Sequence, residues 1–304
     1  MLCGVVCLAG EPAQAFENRE NASGYAEAAP VEDQNIDHYE FNVRYDSIFN
    51  EKFEKDNHAA LERNSFNFSE FDTTLDYIFF FTKKEAGMIG LEYSLDHFGW
   101  KDNPFFNEEN FNNVYLRLGG MTKRWCNWVW KGAAVCDFDA NNFNLWDSTI
   151  YSLTTEGRYA INDNFGWTIG FIAWSGIKTT CIYPIVGFDY KWGCNWKLNL
   201  VYPFNISLAY LFSDNWSMSV NYRIFYSRHR LGKKEPQPLG IIQYQDRGVE
   251  LALNYFCSPY IEANIHAGGA FDGRLKLADR DNHRSTYYRF KTSPYVGASV
   301  HARF

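Results

Sequence analysis

The 304-residue sequence lacks long hydrophobic runs. No stretch approaches the roughly 20 consecutive apolar residues that a membrane-spanning helix requires, which excludes a helical membrane protein. It also lacks an excess of positive charge. With 29 Lys and Arg against 36 Asp and Glu, the net charge is -7 and the isoelectric point lies near 5.5, so there is no basic footprint for nucleic acid. Helical periodicity is nearly absent; Asn57 to Arg63 could form a single turn, too short to anchor a helical layer. His-Glu-x-x-His and Cys-x-x-Cys patterns are missing and the seven His show no ligand spacing, so no metal or other cofactor is expected. What is abundant is aromatic: 26 Phe, 20 Tyr and 10 Trp make 18% of the chain, although its mean hydropathy is only -0.38. Disordered chains are poor in such residues, so a folded protein is expected.

The apolar stretch Leu2 to Ala9 followed by Ala13-Gln14-Ala15 has the small-x-small pattern of an exported precursor, although a basic leader region is missing. Residues 1–15 are therefore read as a signal peptide. Residues 16–36, rich in Glu, Asn, Ala and Pro and without periodicity, are read as a mobile tail. From Asp37 to the end the dominant period is two. Tyr39, Phe41, Val43 and Tyr45 alternate with Glu40, Asn42, Arg44 and Asp46, as a strand with one apolar and one polar face requires. The same alternation runs through Ile89 to Asp96, Val114 to Gly119, Trp216 to Ile224, Gly248 to Tyr255 and Ile261 to Gly268.

About fourteen such segments are predicted, near 38–48, 71–82, 88–98, 112–122, 126–138, 148–161, 165–175, 180–191, 195–202, 206–212, 215–229, 241–256, 260–277 and 294–304. Short connectors (83–87, 123–125, 162–164, 192–194, 213–214, 257–259) alternate with longer polar ones (49–70, 99–110, 139–146, 230–240, 278–293), with exceptions near 176–179 and 203–205. Tight turns at one rim and extended loops at the other are the mark of an outer-membrane barrel. Aromatics at segment ends, among them Tyr45, Tyr93, Tyr151, Trp167, Trp196, Trp216, Tyr226 and Tyr255, fit the girdles of such a barrel. A soluble β-sandwich uses the same alternation, but its strands run mostly to about 5 or 6 residues, and many segments here reach ten or more. The predicted fold is all-β: a transmembrane antiparallel up-and-down β-barrel of 12 to 14 strands over residues 37–304.

The chain closes with Val296, Ala298, Val300, Ala302 and Phe304 at alternate positions. This resembles the C-terminal insertion signal of bacterial outer-membrane β-barrel proteins. The resemblance implies an outer-membrane location, contact with outer-membrane lipid and insertion by the barrel-assembly machinery. Within the barrel, Pro203 to Arg230, with Phe212-Ser213-Asp214-Asn215-Trp216 and Tyr226-Ser227-Arg228-His229-Arg230, is similar to porin-like barrel proteins, which brings no activity with it.

If the apolar parity faces lipid, the other parity faces the lumen. That places Arg44, Glu92, Arg117, Glu156, Arg158, Arg223, Glu250, Glu262, His266, His301 and Arg303 inside, with Arg44 and Arg303 on one wall because the first and last strands must pair. Charges of both signs fit two readings: opposed walls that orient polar solutes, or pairs that satisfy one another across a plugged interior. Ser227 and His229, with Arg223 on the same parity, could be drawn as a nucleophile and base, but the motifs of outer-membrane lipid hydrolases are missing and no enzyme is expected. Five cysteines follow the signal peptide, an odd number for an oxidising compartment. Cys126, Cys194 and Cys257 fall in or beside short turns on the periplasmic side, where intermolecular disulfides to envelope proteins are one reading and free thiols the other. Cys136 and Cys181 lie towards the opposite strand ends. The expected function is passive diffusion of small polar solutes. The alternatives are a structural or adhesive surface barrel with ligand-binding loops and, less favoured, a lipid hydrolase.

Overall fold

A computed structural model describes residues 38–54, 64–100, 103, 105–125, 127–203 and 205–304. The segments expected to be a signal peptide and a mobile tail, the turn expected at 57–63 and Cys126 lie outside these residues. Fifteen strands run in chain order: β1 (Tyr39–Lys52), β2 (Ser65–Thr82), β3 (Glu85–Trp100), β4 (Asn110–Thr122), β5 (Trp128–Asp139), β6 (Thr149–Asn162), β7 (Phe165–Gly176), β8 (Thr179–Trp192), β9 (Trp196–Tyr202), β10 (Asn205–Ser213), β11 (Trp216–Arg230), β12 (Ile241–Ser258), β13 (Ile261–Ala278), β14 (Ser285–Arg289) and β15 (Ser293–Arg303). Sequence neighbours pair antiparallel from β1 through β14, β15 pairs with β13 and not with β14, and β1 pairs with β15. Because β14 and β15 occupy one wall position end to end, the ring closes with fourteen strands. There is no helix long and apolar enough to cross a membrane among the described residues; the crossing elements are strands.

Alternation decides which side each residue faces. Along β2 the even positions Phe66, Phe68, Glu70, Asp72, Thr74 and Asp76 are buried inside, while Leu75 and Tyr77 face out. Outward rows leave Leu91 52%, Leu118 60%, Leu251 52% and Ile265 61% exposed, far more apolar surface than a soluble monomer presents. From Ile261 to Phe271 the outward row of β13 spans roughly ten residues, about 25 Å once tilted by some 40°, the height of a barrel's apolar band. At the short-turn rim aromatic rings touch across neighbouring strands: Tyr39 with Tyr77, Trp128 with Tyr159, Trp196 with Tyr210 and Trp216 with Tyr255, at centroid distances of 5.1, 5.2, 4.7 and 4.6 Å. They form the lower girdle.

Two expectations need correction at the long-loop end. The connectors drawn at 49–70 and 278–293 are partly strand: β1 runs to Lys52, β2 starts at Ser65, and β14 lies within the second. The inward row there is apolar, not polar, because Phe66 and Phe68, ahead of the predicted start of β2, lie buried inside. The wall itself is also interrupted there. The hairpin of β9 and β10 is short, so β8 pairs with β9 only from Val186 and β11 with β10 only as far as Tyr222. Above these points Thr179 to Ile185 and Arg223 to Arg230 have no ladder partner on their shared side. Pro184 sits on this edge, where a residue without an N–H removes no ladder bond.

An open edge cannot face hydrocarbon, and this one is covered. The loop-end halves of β11, β12 and β13 fold inward, so that their outward rows pack against the inner face of β6 to β8. Ile241 and Ala278 meet Ile150, Trp174, Ile177 and Cys181 in one apolar cluster. Arg228 donates to the carbonyl of Ile177 and to Thr179 Oγ1, each at 2.8 Å. Ile224 and Tyr226, expected to face lipid and to join a girdle, are therefore buried at 4% and 7% exposure. Lower on the same strand Val220 is 47% exposed.

Leu251→Arg, at mid-height of an outward row, should cost about 2–4 kcal/mol of barrel stability, read as a lower urea midpoint in lipid vesicles. An unchanged midpoint would mean that this row does not meet lipid.

Candidate functional site

The interior divides into an aromatic half at the loop end and a polar half at the turn end. In the loop-end half the inward rows of β11 and β12 meet those of β1 to β4 and of β14 and β15. Tyr244 lies 4.4 Å from Phe68 and 5.7 Å from Phe66 between ring centroids, and Phe225 lies 5.0 Å from Tyr295. Phe53, Phe66, Phe68, Phe98, Phe290, Tyr244 and Tyr295 are each at most 1% exposed. With β6 to β8 packed on the other side of the inward-folded strands, packed side chains occupy this end of the barrel beside an open cavity of about 550 Å³ lined by Phe105, Gln237, Leu277, His283 and Tyr288. The two buried tyrosine hydroxyls of the core have carboxylate partners: Tyr244 donates to Glu51 Oε2 at 2.9 Å and Tyr295 to Glu250 Oε2 at 2.9 Å.

Directly below the aromatic layer lies a charge cluster centred on Asp46, 1% exposed. Arg44 Nε donates to Asp46 Oδ2 at 2.7 Å, and His266 Nε2 lies 2.6 Å from Asp46 Oδ1. Arg223 reaches Asp46 with both terminal nitrogens, that to Oδ1 at 2.9 Å, and lies 3.6 Å from Glu250. Since β12, β13 and β15 separate β11 from β1 in the sheet, Arg223 ties two walls together. Gly297 makes this approach feasible. A Cβ there would stand 2.1 Å from Asp46 Oδ1 and 2.3 Å from His266 Nε2.

Other sequence-predicted residues lie on the same inward rows. Arg117 sits 3.4 Å from Asp76 and 3.8 Å from Glu92. Arg158 forms a two-pronged pair with Asp189, at 2.7 and 2.6 Å, over Gly166, where a Cβ would come within 2.8 Å of the guanidinium. Arg303 Nε is 3.2 Å from Glu40 near the turn rim, where Glu262 opposes His301 in the ladder, and Glu156 is half-buried on β6. Arg44 and Arg303 do share one wall, through the pairing of β1 with β15. The charges are therefore largely paired with opposite neighbours and do not stand as separate basic and acidic faces. Small polar residues complete the turn-end half: Thr168, Asn199, Ser207, Ser217, Ser219 and Asn254. Asp46, Asp76 and Asp189 were missed as partners by parity reading. Charge complementarity across unknown register leaves no one-dimensional signal.

Ser227 and His229 do not form a nucleophile–base pair. His229 Nε2 lies 2.8 Å from Asp96 Oδ2, its ring stacks on Phe111 at 4.5 Å, and no hydrogen bond joins it to Ser227. Both side chains lie inside the packed end, at 2% and 4% exposure. In the connector between β3 and β4, Glu108 accepts from Asn141 at 2.8 Å, and burial pushes its carboxyl above the usual range. Cys194 and Cys257 are exposed at the short-turn rim, Cys136 is half-buried and Cys181 is buried. No disulfide joins cysteines among the described residues.

Comparison with known proteins gives this barrel a family. The family described as a domain of unknown function, DUF6268, matches residues 118–303, from the turn half of β4 to the end of β15. The chain belongs to the DUF6268 family. An uncharacterized protein of Chlamydia pneumoniae is 28% identical over 209 residues, 68% of this chain and 65% of its own length, so the chain spans just under two thirds of that relative. An uncharacterized protein of Chlamydia trachomatis serovar D is 23% identical over 285 residues, 88% of this chain and 87% of the relative. Among solved structures, the COG4313 outer membrane channel from Pseudomonas putida F1 superposes with a TM-score of 0.50 at 8% identity, covering 91% of this chain and 99% of that one. At that identity the likeness is one of fold. This DUF6268 barrel thus has the architecture of bacterial outer-membrane channels.

Removing one partner from a buried ion cluster leaves charges without compensation, which costs about 3–5 kcal/mol. Asp46→Ala should lower stability by that amount, measured as a shift in the chemical unfolding midpoint of the barrel in micelles. A loss below about 1 kcal/mol would mean that water already solvates Arg44 and Arg223.

Proposed function

We propose that this chain is an outer-membrane channel for small polar solutes, with both termini on the periplasmic side and its loop end closed by its own wall. The observation that carries the reading is the polar turn-end half of a closed fourteen-stranded ring, lined by Ser, Thr and Asn and by paired charges of both signs. Fourteen strands exceed the eight-stranded barrels whose side chains fill the interior and fall short of sixteen-stranded porins. The fold shared with the COG4313 channel supports the same reading. Passage requires the inward-folded β11–β13 segment to move. Its seam with β8 is the place for such motion, because side-chain packing and the bonds of Arg228 stand there in place of a ladder.

The packed loop end also favours a second reading, a structural barrel that never conducts. Planar-bilayer recording separates the two. The refolded barrel should give single-channel steps, and Phe68→Ala with Tyr244→Ala should raise the open fraction by removing the rings that bridge the two walls. Silence from both proteins sinks the channel and leaves the structural barrel.

Cys194 and Cys257 are proposed as points of intermolecular disulfide linkage to periplasmic or envelope proteins, since both are exposed on one rim. Non-reducing electrophoresis of native membranes should show high-mass species that collapse with reductant. Monomer alone, unchanged by reductant, ends that proposal.

A further inference from the structure

On the outside of the wall at the loop rim, the side chains of β12, β13, β14 and β1 depart from the lipid-facing pattern. The outward row of β13 ends its apolar run at Phe271, and the next outward positions are charged. Arg247 and Arg274 flank Asp272, at 3.2 and 2.8 Å, with side chains 31% and 41% exposed. Arg289 is exposed and stands directly opposite Arg274 in the β13–β14 ladder. Lys291 and Lys52 are exposed on adjoining backbone, Lys291 donating its N–H to the Lys52 carbonyl at 2.9 Å. Five cations thus share one outward face with two carboxylates, Asp272 and Glu54, the latter held beside Arg289 by a backbone bond of 2.9 Å.

Arg274 and Arg289 oppose one another in the ladder, Asp272 binds Arg274, and five cations against two carboxylates leave this face with a net positive charge. Tyr287, 52% exposed, and the exposed rings of Phe49 and Phe271 border the same face. An anion here would therefore sit at the level where an apolar band gives way to headgroups.

We propose that this face binds the phosphates of a phosphorylated lipid in the leaflet at the loop rim, the guanidinium groups of Arg247, Arg274 and Arg289 gripping phosphate oxygens and the lysines adding charge. Charge complementarity selects the occupant. A net excess of cations at the upper edge of an apolar wall fits a ligand with an anionic head and acyl tails, and the row below Arg274, from Phe271 to Ile265, offers the tails an apolar track. The assignment rests on the outer-membrane reading above for which leaflet is meant, but not on conduction.

Native mass spectrometry of the whole barrel released from micelles tests it, with bisphosphorylated lipid A as probe and phosphatidylcholine as the neutral control. Lipid A adducts should form in preference to phosphatidylcholine. At about fivefold in affinity per surface cation, the variant carrying R274Q, R289Q and K291Q should bind lipid A on the order of a hundredfold more weakly. Asp272→Asn should change affinity in the opposite direction, since it frees Arg247 and Arg274 and Asn accepts the positive φ of 62° found at that position. Equal adducts with both lipids, or an unchanged affinity in the triple variant with Asp272→Asn also neutral, overturns the site. Conductance is read separately: a silent bilayer with lipid A adducts retains this site, and conduction without adducts removes it alone.

Discussion

Within a bilayer every backbone N–H and C=O must find a partner inside the protein, and the rest of this structure depends on how that demand is met. Thirteen sequential strands and a fourteenth wall made of β14 and β15 meet it by closing the ring through β1 and β15. The demand fails locally where the β9–β10 hairpin stops at Tyr202 to Asn205. The free edges left on β8 and β11 are removed from lipid by folding the upper β11–β13 wall inward. From that one shortfall follow the burial of Ile224 and Tyr226, the aromatic core, and the closure of the loop end.

The charge cluster around Asp46 stands where this fold begins. Arg223 leaves β11 one residue above the last ladder bond to β10 and meets β1 across the interior. Ionised groups in such a place are costly unless paired and hydrogen-bonded. Here each has a partner, and Gly297 removes the Cβ that would keep Asp46 and His266 apart. The cluster therefore fixes the distance between two walls while the aromatic layer above excludes water. A channel built this way opens by moving packed walls; side-chain swings alone leave the closure intact.

Most of the wall was legible in the chain. The alternation at Tyr39 to Asp46 or Ile261 to Gly268 needs only the two-residue period of a strand, and the observed bounds of β6, β7, β9 and β11 fall within a residue of the predicted segments. The inward placement of Arg44, Arg117, Arg223 and His266 followed from the same parity. Phe66 and Phe68 were lost because a polar stretch before them hid the start of β2. Pro184 and Pro203 marked the interrupted wall, but a proline constrains one strand's edge and does not tell where the neighbouring strand goes.

The sequence by itself determined most of the strands, their order, the lipid-facing row of the turn-end half and the rim of short turns, because each depends on local period and on neighbours in the chain. Only the tertiary structure decided that the upper wall folds inward, that Asp46 joins Arg223 and His266, and that the loop end is packed with aromatic rings. Those facts depend on cross-barrel distance and on the register of strands far apart in sequence, and no one-dimensional pattern carries either.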